Sequence, residues 1–208
     1  MAGANSGSAA EYLPDRLTLP ALRKAAAGCR ACPLWESGTQ TVFGEGAADA
    51  EVLFVGEQPG DQEDRQGKPF VGPAGRVLDE GLELAGIDRS KTYVTNAVKH
   101  FKWRARGTRR IHDKPSWSEI MACRPWLESE LALVKPRALV LMGATAAQSL
   151  LGKSFKVTQE RGKPLDSELA DIVVATIHPS AVLRAEDREE MFGGLVQDLR
   201  VVAEAFAR

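Results

Sequence analysis

Two groups of side chains in this sequence have the types and spacing to do chemistry. Cys29 and Cys32 form "CRAC", the spacing with which one short loop grips a single metal centre. Cys123 lies far along the chain, and His100 is a candidate fourth donor. Three cysteines cannot all pair within one chain, so metal ligation is the first reading. A Cys-x-x-Cys redox pair, or three buried small side chains beside a surface histidine, are the alternatives. Spacing alone does not separate zinc from an iron–sulfur cluster. The second group is "RARGTRRIH" (104–112), four arginines in nine residues, ending in one of only three histidines. From Lys99 to Lys114 seven basic residues face one acid, Asp113, although the whole chain has a formal net charge of -1. Acids therefore prevail elsewhere, and the patch reads as a directed anion site; the plainer reading is a solvated face.

These side chains need a frame. Four short apolar runs read as buried parallel strands: "EVLFVGE" (51–57), "TYVTNAV" (92–98), "RALVLMG" (137–143) and "DIVVATIH" (171–178). Helical segments lie between them. The segment 73–86 has Pro73 at its first position and Gly86 at its end. The segment 116–134 opens with the capping-box pair Ser116 and Glu119, and its apolar face runs through Ile120, Leu127, Leu131 and Val134. "ATAAQSLL" and the final "MFGGLVQDLRVVAEAF" complete the set. The alternation predicts a three-layer α/β/α domain with a central four-stranded parallel sheet. In such folds ligands gather beyond the C-terminal ends of the strands. Glu57 and Gln58 follow the first strand, Asn96 and His100 close the second, and His178 closes the fourth. That convergence outweighs any single motif. The glycine-rich stretch 56–75 lets the backbone approach a ligand, and Phe70, its one aromatic, is either a core plug or a stacking platform.

The 208-residue length and the 44% hydrophobic, 26% charged composition predict one well-buried domain, placed at 17–208. Residues 1–16, "MAGANSGSAAEYLPDR", read as a disordered lead-in without the basic start and apolar core of a signal peptide, so the cytoplasm is the expected compartment. No run approaches the about 18 apolar residues of a membrane helix. "GKS" (152–154) resembles the tail of a phosphate loop, but Ala147 stands where a glycine is required, and a helix precedes it. No G-x-G-x-x-G follows a strand. A nucleotide cofactor is not expected.

Taken together, the motifs resemble the uracil-DNA glycosylase superfamily, within it the family 4 iron–sulfur enzymes, and most nearly the UdgX class. Family 4 reads G-E-G-P-G after the first strand, and this chain reads "GEQPG" (56–60). The family's "GKPFVGPAG" stands at 67–75, its asparagine strand as "TNAVK", its cysteine pair as "CRAC", its helix cysteine as Cys123, and its late motif as "HPSAVLR". The match runs from about Leu17 to the C-terminus with the motifs in order. Two departures stand out. His100 replaces a usual third cysteine, and the arginine-rich "RARGTRRIH" replaces a short proline-rich loop. Both are typical of UdgX-like proteins.

The resemblance implies a uracil-DNA glycosylase-like fold and a [4Fe–4S] cluster held by Cys29, Cys32, His100 and Cys123, with zinc as the alternative. It implies a monomer acting on uracil-containing DNA, single strands favoured. Arg104, Arg106, Arg109 and Arg110 would hold phosphates, with Ser180 and Arg184 beside them. Phe70 would stack on an extruded uracil, and Asn96 would accept from N3–H and donate to O4. Gly56 and the Gln58 backbone N–H would complete the pocket. His178 would donate to O2 as the glycosidic bond breaks, and Glu57 would stabilise the cationic sugar. His112 would then capture C1′, with Glu57 taking its proton, and the protein would stay joined to the abasic DNA. Two other readings remain open. One is a turnover family 4 enzyme in which His112 only contacts DNA; the other is a non-catalytic, metal-stabilised nucleic-acid-binding module.

Overall fold

Along the first long strand, Val52 and Phe54 join one buried apolar cluster while Leu53 and Val55 join another on the opposite face. A strand covered on both sides shows an unbroken apolar run, because successive side chains alternate between two cores. A computed structural model describes residues 7–206 of the chain. In chain order, α1 (Leu19–Ala26) and α2 (Leu34–Ser37) precede β1 (Glu45–Gly46) and β2 (Val52–Gly56). Then come α3 (Asp61–Gln66), α4 (Pro73–Ala85), β3 (Thr92–Asn96), β4 (Trp103–Arg106), β5 (Arg109–His112) and α5 (Trp117–Val134). The last elements are β6 (Ala138–Met142), α6 (Ala144–Leu151), α7 (Val157–Glu160), β7 (Ile172–Thr176), α8 (Pro179–Arg184) and α9 (Arg188–Phe206).

The expected four parallel strands form the sheet in the order β3-β2-β6-β7, and the two-residue β1 adds an antiparallel edge to β3. Helices α4, α8 and α9 cover one face with Leu78, Leu82, Val182, Leu195 and Leu199; α5 and α6 cover the other with Leu127, Ala146 and Ala147. The helix after β2 and the helix after β6 thus lie on opposite faces. Between neighbours whose connections diverge in this way a crevice opens at the C-terminal strand ends. The predicted capping box starts α5: Ser116 accepts from the Glu119 N–H and Glu119 accepts from the Ser116 N–H. Among the described residues no helix is long and apolar enough to cross a membrane.

Two expectations need correction. Part of the predicted lead-in is ordered: residues 9–12 form a single 3-10 turn, and Ala9 is fully buried in the cluster that holds Ile120 and Trp126. A four-residue turn anchored by Ala9 and Tyr12 is too short to leave a periodic signal. Residues 1–6 of that lead-in lie outside the described residues. The arginine-rich segment is also not an irregular loop but an antiparallel hairpin of β4 and β5, paired Trp103↔His112, Arg104↔Ile111, Ala105↔Arg110 and Arg106↔Arg109. Its turn is Gly107-Thr108, with Gly107 at φ +61°. That left-handed first position suits glycine in a two-residue hairpin turn.

Candidate active site

Gly56 closes β2 at the mouth of the crevice. A Cβ there would lie 2.7 Å from Phe70 Cζ and 3.4 Å from His178 Nε2, and would overlap Asn96 Oδ1. Three predicted site residues from three separate segments therefore meet around a position that only glycine leaves open. Asn96 is nearly inaccessible at 2% exposure. Phe70 holds a left-handed backbone, φ 55°, which costs a bulky residue of order 1–3 kcal/mol and persists only where its surroundings over-determine it. The Phe70 and His178 rings stack with centroids 6.1 Å apart. Gly75 lets the start of α4 press against the Phe70 carbonyl, which a side chain would block.

His178 caps α8. Its Nδ1 accepts from the Ser180 N–H at 3.1 Å and lies 2.8 Å from Ser180 Oγ. Burial lowers its pKa to about 4, Glu57 opposing the shift, so the ring is neutral near pH 7. With Nδ1 accepting, the proton sits on Nε2, the atom that faces Gly56. Ser180 Oγ in turn accepts from Arg184 at 3.0 Å, so these two residues form a chain behind His178.

Glu57 follows Gly56 and is held from two sides. His112 Nε2 lies 3.1 Å from Oε1, and Thr145 Oγ1 donates to Oε2. Burial disfavours its charge, but the hydrogen bonds from His112 and Thr145, with the fields of His112 and His178, more than offset this and lower its pKa. Glu57 is therefore an anion at neutral pH, and its Oε1 lies where it can accept the Nε2–H of His112, which leaves the other imidazole nitrogen turned away from the carboxylate.

The hairpin brings His112 there by strand alternation. Trp103, Arg110 and His112 share one face, turned to the body of the protein: Trp103 Nε1 donates to the Ser37 carbonyl at 2.8 Å, and Arg110 pairs with Asp61 and Asp64 at 2.5 and 2.6 Å. Arg104, Arg106 and Arg109 lie on the exposed part of the arm. Arg110 thus departs from its predicted DNA role, because its guanidinium is consumed inside the protein by two carboxylates and Thr39 Oγ1. Gln58 contributes more than its backbone. Its buried side chain accepts from the Lys102 N–H at 3.1 Å and donates to the Lys102 and Asp113 carbonyls, each at 3.1 Å, gripping both strands at the hairpin base.

Asp61, Asp64, Thr145 and the Gln58 side chain were not identified from the sequence. The contacts that tie them to the hairpin and to Glu57 span 44 to 88 residues, so no local pattern announces them. The one available signal was Gly107-Thr108 between two four-residue stretches, a hairpin turn masked by charge.

Cys29, Cys32, Cys123 and His100 are all buried, at 7, 7, 4 and 6% exposure. Trp126 Nε1 donates to Cys29 Sγ at 3.4 Å and the Lys99 N–H to Cys123 Sγ at 3.2 Å, while the Leu34 N–H serves Cys32. Burial pushes the Cys123 thiol up to about 12 and raises Cys32 as well, and the neighbouring sulfurs oppose each other's ionisation. Burial lowers His100 to about 4, which leaves it a neutral imidazole. Three mutually sensitive sulfurs, each with an N–H donor, suit thiolates bound to a soft positive centre. Among the described residues no three such side chains are grouped as a single ion would need.

Residues 43–200 match the family described as the uracil DNA glycosylase superfamily. The chain belongs to this superfamily. A protein of Thermotoga maritima named type-4 uracil-DNA glycosylase is 40% identical over 162 residues, covering 77% of this chain and 81% of the relative. One of the same name from Sulfurisphaera tokodaii is 36% identical over 174 residues, covering 80% and 76%. The matched superfamily region holds Gly56, Glu57, Phe70, Asn96, His112 and His178, whereas Cys29 and Cys32 precede it.

Proposed function

We propose that this protein excises uracil from DNA and then remains covalently attached to the abasic site through His112. The family and its relatives support the excision. The observation that carries the second step is the 3.1 Å contact between His112 Nε2 and Glu57 Oε1, at the end of a hairpin anchored to the crevice wall.

Uracil enters by extrusion of its nucleotide or from a single strand, which is the favoured substrate. Phe70 stacks on the ring, and Asn96 reads the N3 and O4 edge, with Gly56 and the Gln58 N–H lining the pocket. Cytosine presents the opposite donor and acceptor pattern and would leave buried groups unpaired. As the N-glycosidic bond breaks, its electron pair moves onto the base, and the Nε2–H of neutral His178 stabilises the charge at O2. Ser180 and Arg184 brace that histidine. The sugar becomes cationic at C1′ beside the Glu57 anion. The His112 nitrogen not held by Glu57 donates its lone pair to C1′, and Glu57 takes the proton from the other nitrogen. The adduct is then a neutral alkylated imidazole, a poor leaving group, and the bond persists. Arg104, Arg106 and Arg109 supply phosphate contacts on the outer side of the arm.

Cys29, Cys32, His100 and Cys123 would hold a [4Fe–4S] cluster, with zinc as the alternative. When bound, the group supplies a rigid cross-link among α1, α2, the end of β3 and α5.

The test is a denaturing gel of protein mixed with uracil-containing single-stranded DNA. A slow protein–DNA band in the wild type, absent in His112→Ala, is expected. Free abasic product with no such band would identify a turnover glycosylase instead. Absence of released uracil from brown, iron-loaded protein would point to a binding module.

A further inference from the structure

Beneath the pocket lies a charged pair that neither base excision nor capture uses. Lys99 is 1% exposed and Glu130 fully buried, and Lys99 Nζ meets Glu130 Oε2 at 2.5 Å. The other two ammonium donors go to Thr95 Oγ1 at 2.6 Å and to the Asn96 backbone carbonyl at 2.8 Å. Glu130 is equally engaged. Its Oε1 accepts from the Gly44 N–H at 2.9 Å and the Tyr93 hydroxyl at 3.0 Å, and Thr95 Oγ1 lies within hydrogen-bond reach of both oxygens. A buried pair of this kind recovers its desolvation cost only when its hydrogen bonds are satisfied, and apolar residues in its place are often as stabilising. Stability alone does not account for it.

The pair's distinguishing contact is with Asn96. On its N-terminal side Asn96 is fixed by the β2–β3 ladder, where it pairs with Gly56. On its C-terminal side the strand has ended, and the chain is held by the Ala97 N–H on the Gly56 carbonyl and by Lys99 on the Asn96 carbonyl. With both flanking peptide planes fixed, the direction in which the Asn96 side chain leaves the backbone is fixed as well. An amide that discriminates one base edge from another depends on that direction, because hydrogen bonds weaken steeply with misalignment.

We propose that Lys99 and Glu130 are positioning residues for base recognition: they hold the Asn96 carbonyl from below so that its amide meets the uracil edge. This rests on the reading of the pocket as a uracil site. The pair reaches the cysteine site too, since the Lys99 N–H donates to Cys123 and Glu130 shares α5 with it. Its test must therefore separate pocket geometry from cofactor loading.

The suitable variant is the double substitution Lys99→Met/Glu130→Gln. It removes both charges together, and the new amide can still accept from Gly44 and Tyr93 and donate to Thr95. Thr95 exchanges the ammonium for the new amide, while the Asn96 carbonyl loses its donor without replacement. Four quantities are measured on the iron-loaded protein: iron content, melting temperature, affinity for uracil-free single-stranded DNA, and affinity for free uracil by calorimetry. The first three are expected to stay near wild type while uracil affinity falls about tenfold, as for misplacing one good hydrogen bond. The same pair of substitutions made in an Asn96→Ala background is expected to cost no further uracil affinity. Unchanged uracil affinity, or an equal loss in the Asn96→Ala background, would overturn the assignment while leaving the glycosylase reading intact. A wild type that neither binds nor releases uracil would overturn both.

Discussion

Thr145 Oγ1 donates a hydrogen bond to Glu57 Oε2 across the gap between the ends of β6 and β2, so the carboxylate that meets His112 on one oxygen is held by the opposite wall on the other. Thr145 itself is 1% exposed. This bond bridges the crevice between diverging strand connections, and together with the His112 contact it directs Glu57 and favours its charged form.

Thr145→Val removes that donor and keeps the shape. The hydrogen bond favours the anion, so its loss raises the Glu57 pKa. In the proposed reaction Glu57 acts ionised, so activity should disappear as pH falls through its pKa. The acid limb of the crosslinking rate should therefore move to higher pH, while the rate at neutral pH, where Glu57 is still ionised, falls only as far as the carboxylate loses its orientation. Thr145→Ser should restore both. An acid limb that does not move would separate Thr145 from the chemistry.

His112→Ser should convert capture into turnover. A hydroxyl beside Glu57 leaves room for a water that the anion can orient toward C1′. Released uracil and free abasic DNA should both accumulate beyond one equivalent of protein, by chromatography and alkaline cleavage. A variant that neither crosslinks nor turns over would contradict the arrangement proposed for Glu57 and C1′.

Arg110→Ala strands Asp64, a fully buried carboxylate whose remaining donors are the Thr39 N–H and hydroxyl. Breaking one side of such a pair costs about 3 kcal/mol. Denaturant titration should show that loss, and crosslinking should fall because the hairpin no longer holds His112 in place. Uracil release is expected to survive, since no pocket residue is touched.

Arg104, Arg106 and Arg109 should behave differently. Replacing all three with Ala should leave stability within about 0.5 kcal/mol. Binding to single-stranded DNA should weaken at low salt, and the slope of log K against log salt should fall by about two, at roughly 0.7 per lost phosphate contact. An unchanged slope would place the DNA elsewhere on the surface.

The sheet was legible in the sequence because a parallel strand buried on both faces writes itself as an unbroken apolar run. The strands lie within one or two residues of "EVLFVGE", "TYVTNAV", "RALVLMG" and "DIVVATIH". The placement of Glu57, Asn96 and His178 at strand ends followed from that frame. The hairpin was hidden because its strands carry arginine where an alternating apolar pattern would mark them, and because it packs through ion pairs. Arg110 looked like its neighbours for the same reason: its sequence context is shared, and only Asp61 and Asp64, 49 and 46 residues away, give it a different task. Thr145 was invisible as an ordinary helix-start residue. Its importance is created by tertiary approach alone.

The alternating faces of β4 and β5 place a parity rule on this arm. Inserting or deleting one residue in β5 on the turn side of Arg110 would leave Arg110 and His112 anchored and shift only the pairing with β4. The same change between Arg110 and His112 would turn one of them outward while its companion stayed docked. The spacing of those two residues can therefore change only by an even number without parting the Arg110 anchor from His112. The turn at Gly107-Thr108, free of any such bookkeeping, is where the arm can lengthen to follow a different substrate.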